Sequence, residues 1–318
     1  MPIIIPDTLP AKEHLRAEEV FFMRHDQAIH QDIRALRILL LNLMPDKIAT
    51  ETQLIRLLSN SPLQMELFLL RLDSYTPKNT SKEHLFTFYQ TFSEIRNQKF
   101  DGMIITGAPV EHMEFEEVGY WKELETIMDW RLANVTSCVH ICWAAQAALY
   151  IQYGIKKYPL EKKMFGVFPH RIVRQHLKLF RGFDDVVHVP ISRHTETRRE
   201  DIERVDDLEI ALDSQEAGVC VIVSKDQRQI YITGHPEYKP LTLKGEYDRD
   251  KLKGLPVEMP VNYFPENDVS RQPLVSWRAN GNLLYQNWVD YYVYQETPYD
   301  LNQLKFIYPK APQRLQSR

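Results

Sequence analysis

The chain has 318 residues, 44% hydrophobic and 26% charged, with a net charge of −4. That composition predicts a globular protein with an ample core. Lys and Arg are scattered, so no global basic field invites nucleic acid or an acidic membrane. No apolar run approaches the roughly 18 residues of a membrane span, and Met1-Pro2-Ile3-Ile4-Ile5-Pro6 lacks the basic and long apolar regions of a secretion signal. Three cysteines, Cys138, Cys142 and Cys220, form no disulfide framework and suit a reducing cytoplasm.

In chain order, residues 1–35 read as an N-terminal arm that packs on the core or on a second subunit. Residues 36–301 read as one α/β domain, and 302–318 as a loose tail. Arg37 to Leu43 is a continuous apolar run, the pattern of a central parallel strand. Met44-Pro45-Asp46 opens a helix through Leu58. Met65 to Leu70 and Met103 to Thr106 are further strands, the second ending in the turn Gly107-Ala108-Pro109. Val135 to Ile141 is a strand followed at once by a helix from Ala144 to Tyr153. Val186 to Pro190, Val219 to Ser224 and Gln229 to Thr233 are short strands. Strands alternating with helices predict a doubly wound, mostly parallel sheet. Gly245 to Arg278 reads as a long ordered excursion, and Leu283 to Tyr294 as a closing helix.

Ligands of such sheets gather beyond the carboxyl ends of the strands. Cys142 stands at one such end, in His140-Ile141-Cys142-Trp143-Ala144-Ala145. There the helix N-terminus, with roughly half a positive charge, favours thiolate, and the Trp143 N–H faces any oxyanion formed by attack of Cys142. Cys138 and Cys220 lie inside apolar strands and read as core. Thr233-Gly234-His235-Pro236-Glu237 follows another strand. A thiol nucleophile needs a base near neutral pH, and an imidazole needs a carboxylate to fix its tautomer. Two residues apart on an extended loop, Glu237 reaches the ring of His235. No CxxC or HExxH spacing supports a metal site, so none is expected.

The strand–Cys–helix turn with His-Pro-Glu resembles the class I glutamine amidotransferase fold, a flavodoxin-like architecture. Longer stretches resemble the homoserine O-acyltransferases of methionine biosynthesis. They are Leu43-Met44-Pro45-Asp46-Lys47, Ile105-Thr106-Gly107-Ala108-Pro109, Cys142-Trp143-Ala144-Ala145-Gln146-Ala147-Ala148-Leu149 and Phe165-Gly166-Val167-Phe168. Further on come Gly234-His235-Pro236-Glu237-Tyr238, Val261-Asn262-Tyr263-Phe264-Pro265 and Asn287 through Gln295. The likeness runs from Pro2 to about Leu301. It implies an acyl-enzyme nucleophile at Cys142, a base at His235 and its orienting acid at Glu237. It implies substrate contacts at Lys163, Ser192 and Arg249, and a functional lysine at Lys47. Arg249 suits a carboxylate, and Lys47 an oxyanion or phosphate.

The family it resembles divides by acyl donor, and members using succinyl-CoA tend to have Gly where this chain has Glu111. A carboxylate lining a dry acyl pocket opposes a second carboxylate, so acetyl is the expected group. The resemblance thus implies a cytoplasmic homodimer acting on L-homoserine. Acetyl-CoA serves as co-substrate, with no bound cofactor. Open alternatives are a succinyltransferase, a glutamine amidotransferase subunit and a non-enzymatic flavodoxin-like binding domain.

Overall fold

The sheet grows from short runs of buried aliphatic residues. The computed structural model describes residues 3–6, 8–17, 22–24, 34–76 and 80–304. Parallel pairing joins β1 (Ile3–Ile5), β2 (Phe22–Arg24), β3 (Leu36–Leu41), β4 (Met65–Arg71), β5 (Tyr89–Thr91), β6 (Phe100–Ile105) and β7 (Val135–Ile141). In β3, Ile38 and Leu40 enter one core while Leu39 and Leu41 enter the other. A strand buried on both faces needs apolar residues at every position, which is why β3 shows no alternation. Helices α1 (Ala11–Ala17), α2 (Lys47–Leu58) and α3 (Lys82–Phe88) cover the first face. The second face is covered by α4 (Trp121–Asn134) and α5 (Trp143–Tyr153). The doubly wound, mostly parallel sheet is as expected.

Helix α2 begins at Lys47 because Asp46, in extended conformation, caps it by accepting from the Ala49 N–H at 3.1 Å. Helix α5 begins one residue earlier than the sequence suggested, at Trp143, because Cys142 itself is the turning residue. Gly154, with φ of 71°, ends that helix in the left-handed conformation.

Beyond β7 the sheet continues through β12 (Gln229–Ile232), parallel to it, and then turns antiparallel. The order from there is β11 (Gly218–Ser224), β10 (Leu208–Ser214), β8 (Tyr158–Ile172) and β9 (Val186–Glu196). The sequence reading missed β8 and β10 and stopped β9 at Pro190. The first half of β8 carries Glu161, Lys162 and Lys163 in a largely solvated stretch, with a register shift between Pro159 and Met164. Burial begins only where the strand reaches the core, at Phe165 to Phe168.

The expected excursion from Gly245 is corrected in its first part, where α6 (Thr242–Leu252) is a regular helix. The closing helix starts earlier than Leu283, as α7 (Arg278–Asn287), and runs on as a π-helical segment, Trp288–Tyr294. Its Trp288 Nε1–H donates to Ser137 Oγ in β7 at 2.9 Å. At the amino end, β1 pairs with β4, and Leu15 of α1 is buried in the first core. The tail beyond residue 304 lies outside the described residues, as do most of residues 18–33. Among the described residues, no helix is long and apolar enough to cross a membrane.

Candidate active site

Register sets the site. Ile141 of β7 lies opposite Ile232 of β12, so the two strands end side by side. The Cys142 N–H donates to Ile232 O at 2.6 Å, and the chain then turns with Cys142 at φ 53°, ψ −117°. For a residue with a side chain, that conformation costs on the order of 1–3 kcal/mol and is retained where a function uses it. Gly107 packs closely against this turn. A Cβ there would stand 3.2 Å from Cys142 Cβ and 3.7 Å from Trp143 N. The turn expected to supply a second oxyanion donor therefore lies against the nucleophile, beside the first N–H of α5.

The base comes from the loop after β12. His235 N–H donates to Pro190 O at 2.8 Å, and a Cβ on Gly234 would clash with Val189 Cγ1 at 2.6 Å. The loop is thus pressed onto β9. His235 Nδ1 and Glu237 Oε1 are 2.7 Å apart, both side chains only 7% exposed. Burial opposes charge on His235. Cys142 and Glu237, each also sharing a side-chain hydrogen bond with it, outweigh that and hold its pKa well above the ordinary histidine value. Tyr238 stacks on the His235 ring with centroids 4.1 Å apart. Cys138 and Cys220 are buried core residues, and burial pushes each thiol up to about 12.

A second cluster lies across Tyr238. Its hydroxyl donates to Glu246 Oε1 at 2.9 Å. Ser192 Oγ donates to Glu246 Oε2 at 2.5 Å, and Lys163 Nζ reaches Glu246 Oε2 at 3.3 Å and Asp250 Oδ2 at 3.4 Å. Arg249, its side chain 53% exposed, is held by Asp250 through Nε at 2.8 Å. So the structure brings Lys163 and Ser192 together, with Arg249 one link away. Sequence reasoning missed Glu246, Asp250 and Tyr238. The signal was present, since Glu246, Arg249 and Asp250 share one face of a helix at i, i+3 and i+4. Reading the segment from Gly245 as a long ordered excursion, with no helix assigned, hid it.

Lys47 stands apart from both clusters. It is buried, its Nζ donates to Asn42 O, and burial lowers its pKa to about 8, with Glu51 opposing. Asn42, Tyr89, Glu51 and His84 continue that network. Its route to the nucleophile passes through Leu43 N–H, which donates to Thr106 Oγ1 at 2.7 Å, and then Gly107. Glu111 is half-buried in the loop after that turn, close enough to His194 of β9 for their charges to interact, as do those of Lys163 and Asp250.

The family model described as Homoserine O-succinyltransferase matches residues 2–299. The chain belongs to the homoserine O-succinyltransferase family. Relatives named homoserine O-acetyltransferase include that of Brevibacillus brevis, 60% identical over 95% of this chain and 99% of the relative. That of Acetivibrio thermocellus is 60% identical over 96% and 100%, and that of Bacteroides thetaiotaomicron 54% identical over 96% and 100%. Among solved structures, a glutamine amidotransferase from Thermotoga maritima superposes with a TM-score of 0.52 at 12% identity, covering 82% of this chain and all of that one. That likeness bears on the fold: the sheet is of the class I glutamine amidotransferase type, as the Cys turn and His-Pro-Glu loop suggested. Family description and relatives differ in the acyl group named, which directs attention to the acyl pocket.

Proposed function

We propose that the protein is a homoserine O-acetyltransferase that works through an acetyl-Cys142 intermediate. The observation that carries the reading is Tyr238, whose ring lies on His235 and whose hydroxyl is bonded to Glu246. One residue thereby ties a nucleophile's base to a carboxylate cluster suited to an amino acid. The Cys142 sulfur attacks the thioester carbonyl, and its oxyanion lies between the Trp143 N–H and the Gly107 turn. The carbon–sulfur bond to CoA breaks, and the leaving sulfur takes the proton held on His235. Neutral His235, its tautomer fixed by Glu237, then accepts the proton of the homoserine hydroxyl. The new ester bond forms as the bond to Cys142 breaks.

Glu246 would hold the α-ammonium group, with Ser192 and Lys163 around it, while Arg249 turns from Asp250 to the α-carboxylate. Glu111 sets the donor: its carboxylate repels the distal carboxylate of a succinyl group and leaves acetyl unopposed. Lys47 supports the turn that carries the oxyanion site. Acetyl-CoA is a co-substrate, no resident cofactor or metal is needed, and a cytoplasmic homodimer is the working form.

Purified protein mixed with L-homoserine and either acetyl-CoA or succinyl-CoA, followed by release of free CoA thiol, tests this. Turnover is expected with acetyl-CoA and O-acetylhomoserine as product. A preference for succinyl-CoA would overturn the assignment of the donor. Ammonia release from glutamine without acyl transfer would replace the reading with an amidotransferase.

A further inference from the structure

The Glu111 loop is held from outside the pocket by a lysine that neither cluster uses. Lys157, in the connection between α5 and β8, is half-buried. Its Nζ donates to Glu111 O at 2.5 Å and to Met113 O. The same amine sits 5.1 Å from the centre of the Phe115 ring, a residue buried at the end of that loop. An ammonium group that takes two carbonyls two residues apart closes the segment into a fixed curl. Removing it leaves both carbonyls without that donor. On the other side, the rings of His112 and His194 of β9 meet at a tilt of 51° with centroids 4.5 Å apart. The segment is therefore held at Glu111, His112 and Met113, with Glu111 the first of the held residues. Lys157 bonds the backbone carbonyls of this segment rather than the Glu111 carboxylate, whose charge acts on His194 of β9.

We propose that Lys157 is a positioning residue for acyl-donor choice, clamping the 111–113 backbone so that the Glu111 carboxylate stays in the acyl pocket. The inference rests on the proposed role of Glu111 and extends it to a residue outside the pocket. A carboxylate rejects a second carboxylate only if it cannot swing away from it. A loosened loop lets Glu111 turn toward solvent, where water screens it. Burial lowers the pKa of Lys157 while Glu114, Glu111 and Glu117 oppose the shift, in keeping with an ammonium placed among acidic residues.

The test is a double-mutant cycle read as the ratio of kcat/KM for acetyl-CoA to that for succinyl-CoA. Glu111→Gly is expected to lower this ratio strongly; no change there would overturn the role of Glu111 itself. Lys157→Met is expected to lower it about tenfold, mostly through gain with succinyl-CoA, with KM for homoserine unchanged. In the Glu111→Gly background the same substitution should leave the ratio where it is, because the clamp has nothing left to place. An equal loss with both donors, or a shift of the ratio that persists without Glu111, would overturn the proposal. Lys157→Gln, which keeps a neutral amide NH2 as donor but no charge, should fall between wild type and Lys157→Met. If both variants unfold at 25 °C, Lys157 serves stability and the specificity role is wrong.

Discussion

The reactive group and the recognition group are built in opposite ways. Cys142 and His235 are placed by backbone, through strand ends in register, an N–H to Ile232 O and an N–H to Pro190 O. Lys163 and Ser192 sit on the paired strands β8 and β9, where Phe165 lies opposite Ser192, but Glu246 comes from α6 and joins them only through side chains. Chemistry that needs reacting atoms within tenths of an ångström is fixed by parts that cannot move independently. Recognition of a polar substrate uses bonds that can be exchanged for bonds to the ligand. A bound ammonium group would take up Glu246 oxygens now shared by Ser192, Tyr238 and Lys163.

Removing the fixed part should have the larger effect. Cys142→Ala is expected to lower acyl transfer by roughly ten-thousand-fold. The acetyl adduct seen by intact-protein mass spectrometry after mixing with acetyl-CoA alone should vanish. Persistence of the adduct would move the nucleophile elsewhere. Glu237→Gln retains the shape but loses the charge that supports protonated His235, and kcat should fall about 100- to 1,000-fold with little change in the KM for homoserine. A change confined to KM would place Glu237 in recognition instead.

Breaking the exchangeable part should be milder and one-sided. Glu246→Gln is expected to lower kcat/KM for homoserine by roughly 10- to 100-fold, since a neutral amide receives an ammonium group poorly. The rate of acetylation of Cys142 by acetyl-CoA alone should be unaltered. A loss in both half-reactions would merge the two groups and remove the contrast.

The same contrast explains what could be read from the sequence. The nucleophile and base follow apolar runs, so their positions at strand ends are legible from local pattern alone. Glu246 and Asp250 are ordinary charged residues, and nothing within ten residues of them signals that β8 and β9 fold back to supply Lys163 and Ser192. Strand β8 escaped notice because its exposed half carries charges where a strand of a parallel sheet carries valine or leucine. Strands β6, β7 and β11 announce themselves by near-continuous burial, whereas β10, with Glu209 and Asp213 half-buried among its apolar residues, and β8, charged along its outer half, do not. Arg249 and Lys163 owed their selection to family likeness, and their chemical setting appears only when α6 is recognised as a helix.

The smallest expected effect concerns pH and belongs to the antiparallel half. His170 of β8 is 1% exposed, with Nδ1 2.9 Å from Phe168 O. Burial, aided by the charges of Arg193 and His188, lowers its pKa from 6.5 to about 4, against the hydrogen bonds to Phe168 and Val187. The unfolded chain therefore takes up a proton below pH 6.5 that the folded chain refuses until about pH 4, so stability is lost as pH falls through that window. Between pH 7 and pH 5 this single group should remove about 2 kcal/mol. His170→Asn retains a donor for Phe168 O but cannot titrate. Urea denaturation at the two pH values should show the variant losing about 2 kcal/mol less than wild type on acidification, even if it is less stable at pH 7. An identical acid loss in both proteins would mean that His170 gains its proton in the folded state, and that the β8–β9 half is more open to water than its packing implies.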